Sequence, residues 1–530
     1  MAKFNFAFGS ALLVVLFVIC CFNFADATHQ PNEDDNDAKD ETLAIGEFEL
    51  KRMAQYAIEW CHNNALILRR KGDEGNRGDA ALFPPLTLFP SPFPRDAFEQ
   101  ALKAQKAMNL LYFRVARDFD FLMNAYKDVT KGDEHIAKLV DILKKVHEKG
   151  IRQPITVMLQ RADYLLDVVE NNETNEVKYE PKQVEVNTGA IGATGLKRRT
   201  TEFHRRMLKK ATGMDATTAN IPDNKPDAAL IDTFYMAWRK FDDPKAIMVC
   251  LIYNNDPFQY DLRYIAEELE KKSSGKMEVE IYSLADYSER ENSTKRLQLD
   301  QADFSLRLDG RKVAIVYSGQ SALGCKFDEL GMEFRQIIEL STAIKAPSLA
   351  VAISSSKKVQ QMLAMPGAIE RFFPEPSDAA TVAQIRATFA KIWGLENEDE
   401  DTQKLIEDAI ENPGNYVLKP NRECGGHNYY DDKLVKKLKE FTPTERGAHI
   451  LMQKLRPMVV KNYVLRPYEA ARLEEVIPEL GVYGFLIGDL KAGKVLHNVQ
   501  QGHHFRTKLS HVNEAGISAG FGFYDSAYLY

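Results

Sequence analysis

The segment Val417-Leu-Lys-Pro-Asn-Arg-Glu-Cys-Gly-Gly-His-Asn428 constrains the fold more than any other part of the chain. Its apolar run ends at Lys419, as a strand does when it delivers a side chain into a site. Glu423 and the small-residue turn Cys424-Gly425-Gly426 follow. Glycines let backbone N–H groups approach a phosphate, a lysine neutralises its charge, and a glutamate holds Mg²⁺. The spacing is not Gly-x-x-x-x-Gly-Lys-Ser/Thr, so a P-loop is excluded and another nucleotide fold is expected. A strand followed by a surface hairpin turn would satisfy the same residues, and the segment alone does not choose.

With 69 Lys and Arg against 76 Asp and Glu, the chain carries a net charge of −7, which excludes a general nucleic-acid binder. The basic clusters Lys197-Arg198-Arg199, Arg205-Arg206 and Lys209-Lys210 read as solvated helix faces. Lys3, the apolar stretch Ala11 to Phe22 and the small-x-small Ala25-Asp26-Ala27 form a secretory signal pattern over residues 1–27, too short to span a membrane. Residues 28–43 read as an acidic, disordered tail. Cys20 and Cys21 leave with the signal. Cys61, Cys250, Cys325 and Cys424 are widely spaced, so neither a zinc site nor a disulfide scaffold is expected. Asn172 and Asn292 fit the N-glycosylation pattern.

Apolar spacing of three and four residues predicts helices over 48–63, 95–128 and 133–148. The proline-rich run Phe83 to Pro94 is expected to be extended and packed. Strands are predicted at 154–159 and 183–187. From 243 to about 357 strands (246–253, 277–284, 311–317) alternate with a helix (262–272), the pattern of a small parallel α/β unit. Helices are expected over 379–393 and 402–410, with Glu396 to Asp401 a solvated linker. Strands follow at 416–419, 449–455, 462–466 and 482–486.

Alternation puts Glu185 and Asn187 on one strand face, an oxygen pair that with Glu423 suits Mg²⁺. It likewise puts Arg506 and Lys508 on one side, where they suit anions. These segments, with Leu86-Thr-Leu-Phe-Pro-Ser-Pro92, Arg161-Ala-Asp-Tyr164, Ser356-Lys-Lys-Val-Gln-Gln361, Ile450-Leu-Met-Gln-Lys454 and Glu479-Leu-Gly481, resemble eukaryotic glutathione synthetase in order and spacing from about Ala44 onward.

The resemblance implies an α/β (α+β) ATP-grasp fold. Residues 44–242 would form the helical N-terminal part and the first part of the core. An inserted substrate-binding α/β domain would span 243–356, and the ATP-grasp domain 357–530 with a Gly-rich lid near 423–430. It implies a homodimer that joins glycine to γ-glutamylcysteine with ATP and Mg²⁺, two ions in all, through an acyl phosphate. It places Lys357 and Lys419 at ATP phosphates with Arg506 as a further catalytic group, and Glu185, Asn187 and Glu423 on Mg²⁺. Glu185, Gly425, Gly426, Asn428, Tyr430, Met452, Glu479 and Lys508 would also line the ATP site. Arg161, Asp256 and Arg506 would hold the peptide substrate.

The peptide pocket departs from the family. Where it has two serines after Asn187-Thr188, this chain has Ala190 and Gly192; its Asn and Gln contacts become Phe258 and Leu262; its Arg and Tyr become Gly319 and Ala322. Burying charged substrate groups without partners costs several kcal/mol, roughly. Recognition of γ-glutamylcysteine is therefore expected to be weak or redirected. The expected function is an ATP-dependent ligase with a rebuilt acid pocket. The alternatives are a non-catalytic ATP-binding protein and an ordinary synthetase. Secreted glutathione-synthetase-like proteins of plant-parasitic nematodes are the precedent for such an enzyme delivered to another cell.

Overall fold

The computed structural model describes residues 45–70, 80–171, 176–189, 191–252, 256–283, 296–319, 329–421, 427–517 and 520–530. The signal and tail, Asn172, Ala190, Asn292, Ala322, Cys325, Glu423, Cys424, Gly425 and Gly426 lie outside them.

Two long strands, Ile155–Asn171 and Arg472–Asp489, run antiparallel at the centre of a mixed sheet that holds 13 strands among the described residues. On one side come Val495–Leu509, Gly522–Tyr524, Leu86–Thr87 and Val460–Leu465. On the other, Ile344–Ala346, Arg311–Ser318, Ile247–Ile252 and Val279–Ser283 follow, each parallel to its neighbour. The stretch read as an α/β unit therefore continues the main sheet. Ile247–Ile252 is buried throughout, as a parallel strand covered on both faces must be, which is why its sequence shows no alternation. Glu176–Thr188 pairs with the 155–171 strand as a long hairpin. A second, three-stranded antiparallel sheet has His449–Gln453 between Ile392–Gly394 and Tyr416–Pro420.

The helix Arg95–Arg117 buries Ala97, Ala101, Ala104, Met108, Leu111, Tyr112 and Val115 along one stripe. It crosses the sheet where Gly484 and Gly488 leave room for Asn109 and Phe113. The proline-rich run is extended and buried as expected, with Ser91–Phe93 pairing parallel to Ala527–Leu529.

Four expectations need correction. The 95–128 helix breaks at Asp118, whose carboxylate accepts from Phe121 N at 2.9 Å and starts a second helix, Phe119–Tyr126. The helix expected over 379–393 ends at Ala387, because Ile392, Trp393 and Gly394 pair with the 449–453 strand. The acidic linker is not merely solvated: Glu396 pairs with buried Lys358 at 2.6 Å, and Asp399 caps the helix Glu400–Glu411 through Thr402 N. The basic clusters lie on the helix Thr194–Thr212, which the periodicity reading missed along with Pro226–Phe241, and Lys197 is buried rather than solvated. Cys61 and Cys250 are free and buried, and burial pushes both thiols up, Cys250 to about 12.

Candidate active site

Cross-strand register gathers the charged residues. Arg161 stands opposite Asn187 and Asp163 opposite Glu185, so all four share one face of the hairpin. On the far side of the 155–171 strand, Tyr483 stands opposite Arg161 and Gly481 opposite Asp163; beyond that, Gly481 meets His504 and Glu479 meets Arg506. Tyr524 stands opposite Arg506 and continues the face. Gly481 has to be glycine here. A Cβ on it would lie 2.5 Å from Asp163 Oδ1 and 3.0 Å from both Arg161 Cδ and His504 Cβ. Through that gap Arg506 Nη2 comes within 3.6 Å of Asp163 Oδ2, although their strands are not neighbours.

Asp163, fully buried, accepts two parallel hydrogen bonds from Arg161, Nε to Oδ1 at 2.6 Å and Nη2 to Oδ2 at 2.7 Å. Burial pushes its carboxyl up, and Arg161 and Arg506 pull it back toward the ionised form. Arg161 also donates to the Ile191 carbonyl at 2.7 Å. Asn187 donates to Asp163 and to Glu185 at 3.3 and 3.2 Å. Burial alone would raise the pKa of Glu185, but Lys357, Arg506 and Arg161 outweigh it and take the carboxyl down to about 2. An ionised carboxylate beside an amide is an oxygen set that fits a hard cation. Among the described residues no group of three or more His, Cys, Asp or Glu forms a metal cluster, and Glu423 lies outside them.

The two lysines come from different elements. Lys357 opens the helix Lys357–Ala364, whose start is fixed by Ser356 accepting from Val359 N at 3.2 Å. Lys419 comes from the small sheet and reaches across to the large one, donating to the Val184 carbonyl at 3.1 Å. That carbonyl is free to accept because the hairpin register slips between Asp163 and Tyr164, leaving Val184 as the extra residue of a bulge. Burial, then the charge of Lys357, bring Lys419 down to about 8, against the pull of Glu185, Glu514 and Glu479. Two buried cations this close are costly until an anion arrives.

Arg506 donates to Glu479 at 2.6 Å, and Lys508 donates to the Asn513 carbonyl at 2.7 Å. Burial lowers the pKa of Lys508, with Glu479 and Glu514 opposing. Asn428 donates to Glu514 at 3.0 Å and lies 3.5 Å from the Tyr430 hydroxyl, so the end of the lid segment is tied to the C-terminal loop. Burial pushes the Tyr430 phenol up. Met452 is buried with Ile392, Ile450 and Leu455, an apolar floor on the small sheet.

On the substrate side the positions are more scattered. Asp256 accepts from Phe258 N at 2.9 Å, turning the chain into the helix Gln259–Lys272. Phe258 packs with Leu196, Phe203 and Tyr524, while Leu262 packs in a different cluster with Phe234 and Tyr317. A Cβ at Gly319 would rest 3.5 Å from the Tyr317 ring. Gly192, at φ +71°, takes the Tyr483 hydroxyl on its carbonyl at 3.1 Å. At Gly189 the backbone has φ +100°, and a Cβ would strike the Pro347 ring at 2.5 Å, so glycine is obligatory there.

Sequence reasoning missed Asp163, although it stands two residues from Arg161 in a quoted motif and alternation puts both on one face. It missed Tyr483 and His504, although the same alternation puts Tyr483 on the face of Glu479 and His504 on the face of Arg506.

A family model described as eukaryotic glutathione synthase, ATP binding domain, matches residues 47–529. Human glutathione synthetase is 32% identical over 481 residues, covering 91% of this chain and 97% of its own. The chloroplastic glutathione synthetase of Arabidopsis thaliana is 31% identical, covering 91% of this chain and 85% of its own. Among solved structures, a glutathione synthetase like-effector from Globodera pallida in apoform is similar at 32% identity and a TM-score of 0.72, over 92% of this chain and 98% of that one. On the length of these matches, and on the ATP-grasp architecture, the chain belongs to the eukaryotic glutathione synthetase family.

Proposed function

We propose that the chain is an ATP- and Mg²⁺-dependent carboxylate–amine ligase whose acid pocket departs from the family's. The observation that carries this reading is the meeting of Lys357, Lys419 and ionised Glu185 where the two sheets face each other. Moving a phosphoryl group onto a carboxylate brings two anions together, so the site must supply positive charge and exclude water. Lys357 and Lys419 neutralise phosphate oxygens. Glu185 and Asn187, with Glu423, would hold Mg²⁺, which would screen the charge of the polyphosphate.

A carboxylate oxygen of the acid attacks the γ-phosphorus, the bond to the ADP oxygen breaks, and an acyl phosphate results. An amine, glycine in the family, then displaces phosphate from the acyl carbon and loses a proton. Arg506, held by Glu479 and Asp163, orients a carboxylate of the acceptor. Gly192, Phe258, Leu262 and Gly319 replace polar groups of the family pocket, which favours an acid other than γ-glutamylcysteine. Residues 243–356 form the acid-binding part, and the enzyme works as a homodimer.

The test is ADP release by the mature protein with Mg²⁺-ATP, glycine and γ-glutamylcysteine, then with a panel of thiols and carboxylates. Turnover with γ-glutamylcysteine matching an ordinary glutathione synthetase would overturn the altered pocket. Absence of ATP binding would overturn the ligase. Glu185→Gln is expected to lower kcat by about 10²-fold or more while leaving the melting temperature within a few degrees, roughly.

An effector role is favoured by one observation, the similarity to the Globodera pallida effector over nearly the whole chain. In that reading residues 1–27 direct export, and the enzyme acts in another cell where ATP is plentiful. No helix of the described residues is long and apolar enough to cross a membrane. Fractionation showing the mature protein retained in the producing cell would overturn export.

A further inference from the structure

Lys197 is 1% exposed, and its Nζ has no hydrogen-bond partner among the described residues. Its nearest compensation is the face of Tyr524, with Nζ 3.6 Å from the ring centroid. His504 is 5% exposed, and its Nε2 is likewise unpartnered. A buried donor without an acceptor costs about 1–3 kcal/mol, and a charged one more. Lys358, another buried lysine whose Nζ makes no hydrogen bond, has Glu396 at 2.6 Å, whereas Lys197 has no ion-pair partner among the described residues.

His504 belongs to the sheet face described above, and Lys197, from a helix, lies over the ring of Tyr524 on that face. Tyr524 stands opposite Arg506, and the Tyr483 hydroxyl lies 3.4 Å from His504 Nδ1 and 3.1 Å from the Gly192 carbonyl. Lys197 is held in place by construction. The helix that carries it begins where Asp261 accepts from Leu196 N at 3.0 Å, and Gly195 lets the two helices close up. A Cβ at Gly192 would meet nothing nearer than Arg161 Nη1, at 3.9 Å. The carboxylates nearby are engaged elsewhere: Asp163 by Arg161, Glu479 by Arg506, and Asp525 by Ser91 Oγ at 2.6 Å.

Building on the ligase reading, we propose that Lys197 is a specificity-determining residue of the acid pocket. Its amine, with His504 Nε2, receives an anionic oxygen group of the acid substrate, a second carboxylate distinct from the one that is activated. The substrate class is thus an acid with a distal carboxylate, presented past Gly192. Electrostatics agree. Burial holds Lys197 well below the usual lysine range, and Arg506 and Arg161 add to that while Asp163 and Asp525 oppose. His503 and His504, on the neighbouring strand, are both held low and neutral, by burial first and then by Lys197. Burial pushes the Tyr483 and Tyr524 phenols up, so both stay neutral, and it pushes the Asp261 carboxyl up to about 6. An arriving carboxylate therefore draws a proton onto Lys197.

The experiment uses the mature chain with Mg²⁺ and a non-hydrolysable ATP analogue. Calorimetry compares γ-glutamylcysteine, N-glutarylcysteine and N-pentanoylcysteine, the last two differing in a terminal carboxylate against a methyl. The glutaryl probe is expected to bind about tenfold more tightly than the pentanoyl one, with proton uptake seen in buffers of different ionisation enthalpy. Lys197→Met is expected to abolish the preference and the proton uptake while raising the melting temperature of the ligand-free protein. A lysine that merely held the fold together would give a lower melting temperature and an intact preference. If Lys197→Met does not fold, Lys197→Gln carries the same comparison.

Equal affinity for the two probes, a preference unchanged in the variant, or no binding of any probe would overturn the proposal. Preference in calorimetry with no ADP release when the same probes are given with Mg²⁺-ATP would overturn the ligase reading and leave this site standing. ADP release with a preference unaffected by the variant would do the reverse.

Discussion

At the scale of single residues, the site is a set of charges held in expensive surroundings. Glu185 stays ionised because three cations outweigh its burial, and Lys419 is brought down to about 8 because burial and Lys357 act together. The sign of the pH effect follows. Below pH 8 Lys419 is charged and ready for a phosphate; above it the free enzyme must gain a proton in order to bind. Affinity for ATP is expected to fall roughly tenfold between pH 7 and pH 9. Lys419→Arg is expected to flatten that slope, since a guanidinium stays charged throughout. Calorimetric titration at several pH values measures both. These lysines and carboxylates were legible in the sequence because each sits in a short motif whose residue types match phosphate and cation chemistry. Lys197 was not legible, because a basic triplet reads as a solvated face until the neighbouring helix and sheet are in place.

At the scale of elements, the hairpin 155–188 and the 472–489 strand do most of the positioning. Alternation placed Glu185 with Asn187 and Arg506 with Lys508, since those relations are local to one strand. It could not place Asp163 beside Arg506, because that contact passes over a third strand through the space left by Gly481. Nor could it show the slip at Val184, where one extra residue frees a carbonyl for Lys419. Gly481→Ala tests the gap. The added methyl overlaps Asp163 and His504 and is expected to destabilise the fold by about 2–3 kcal/mol, with a larger fractional loss in kcat/KM than in folded protein. Urea denaturation alongside steady-state kinetics separates the two effects. The helices Thr194–Thr212 and Pro226–Phe241 were passed over by apolar spacing, although the first carries the basic clusters already read as helix faces.

At the scale of the whole molecule, the proposed nucleotide site joins elements from distant parts of the chain, so bound nucleotide should act as a brace. With Mg²⁺-ATP at about 100 times its Kd, the linkage contributes about 2.7 kcal/mol, a rise of a few degrees in melting temperature. ATP without Mg²⁺ is expected to give less, and scanning calorimetry distinguishes them. The architecture was readable from sequence in outline, as strands, helices and a small α/β stretch, but the joining of that stretch to the main sheet was not. Which parallel strand pairs with which, as Arg311–Ser318 does with Ile344–Ala346, leaves no mark on local composition. The order of strands in that sheet also sets a timetable. Arg161 and Glu185 are made early, yet their partners Glu479, Arg506 and Tyr524 come from the last strands of the chain. Contacts so far apart in sequence close late in folding. In the proposed export, a chain threaded from its N-terminus would carry no nucleotide pocket until its tail had followed, and would make the passage chemically silent.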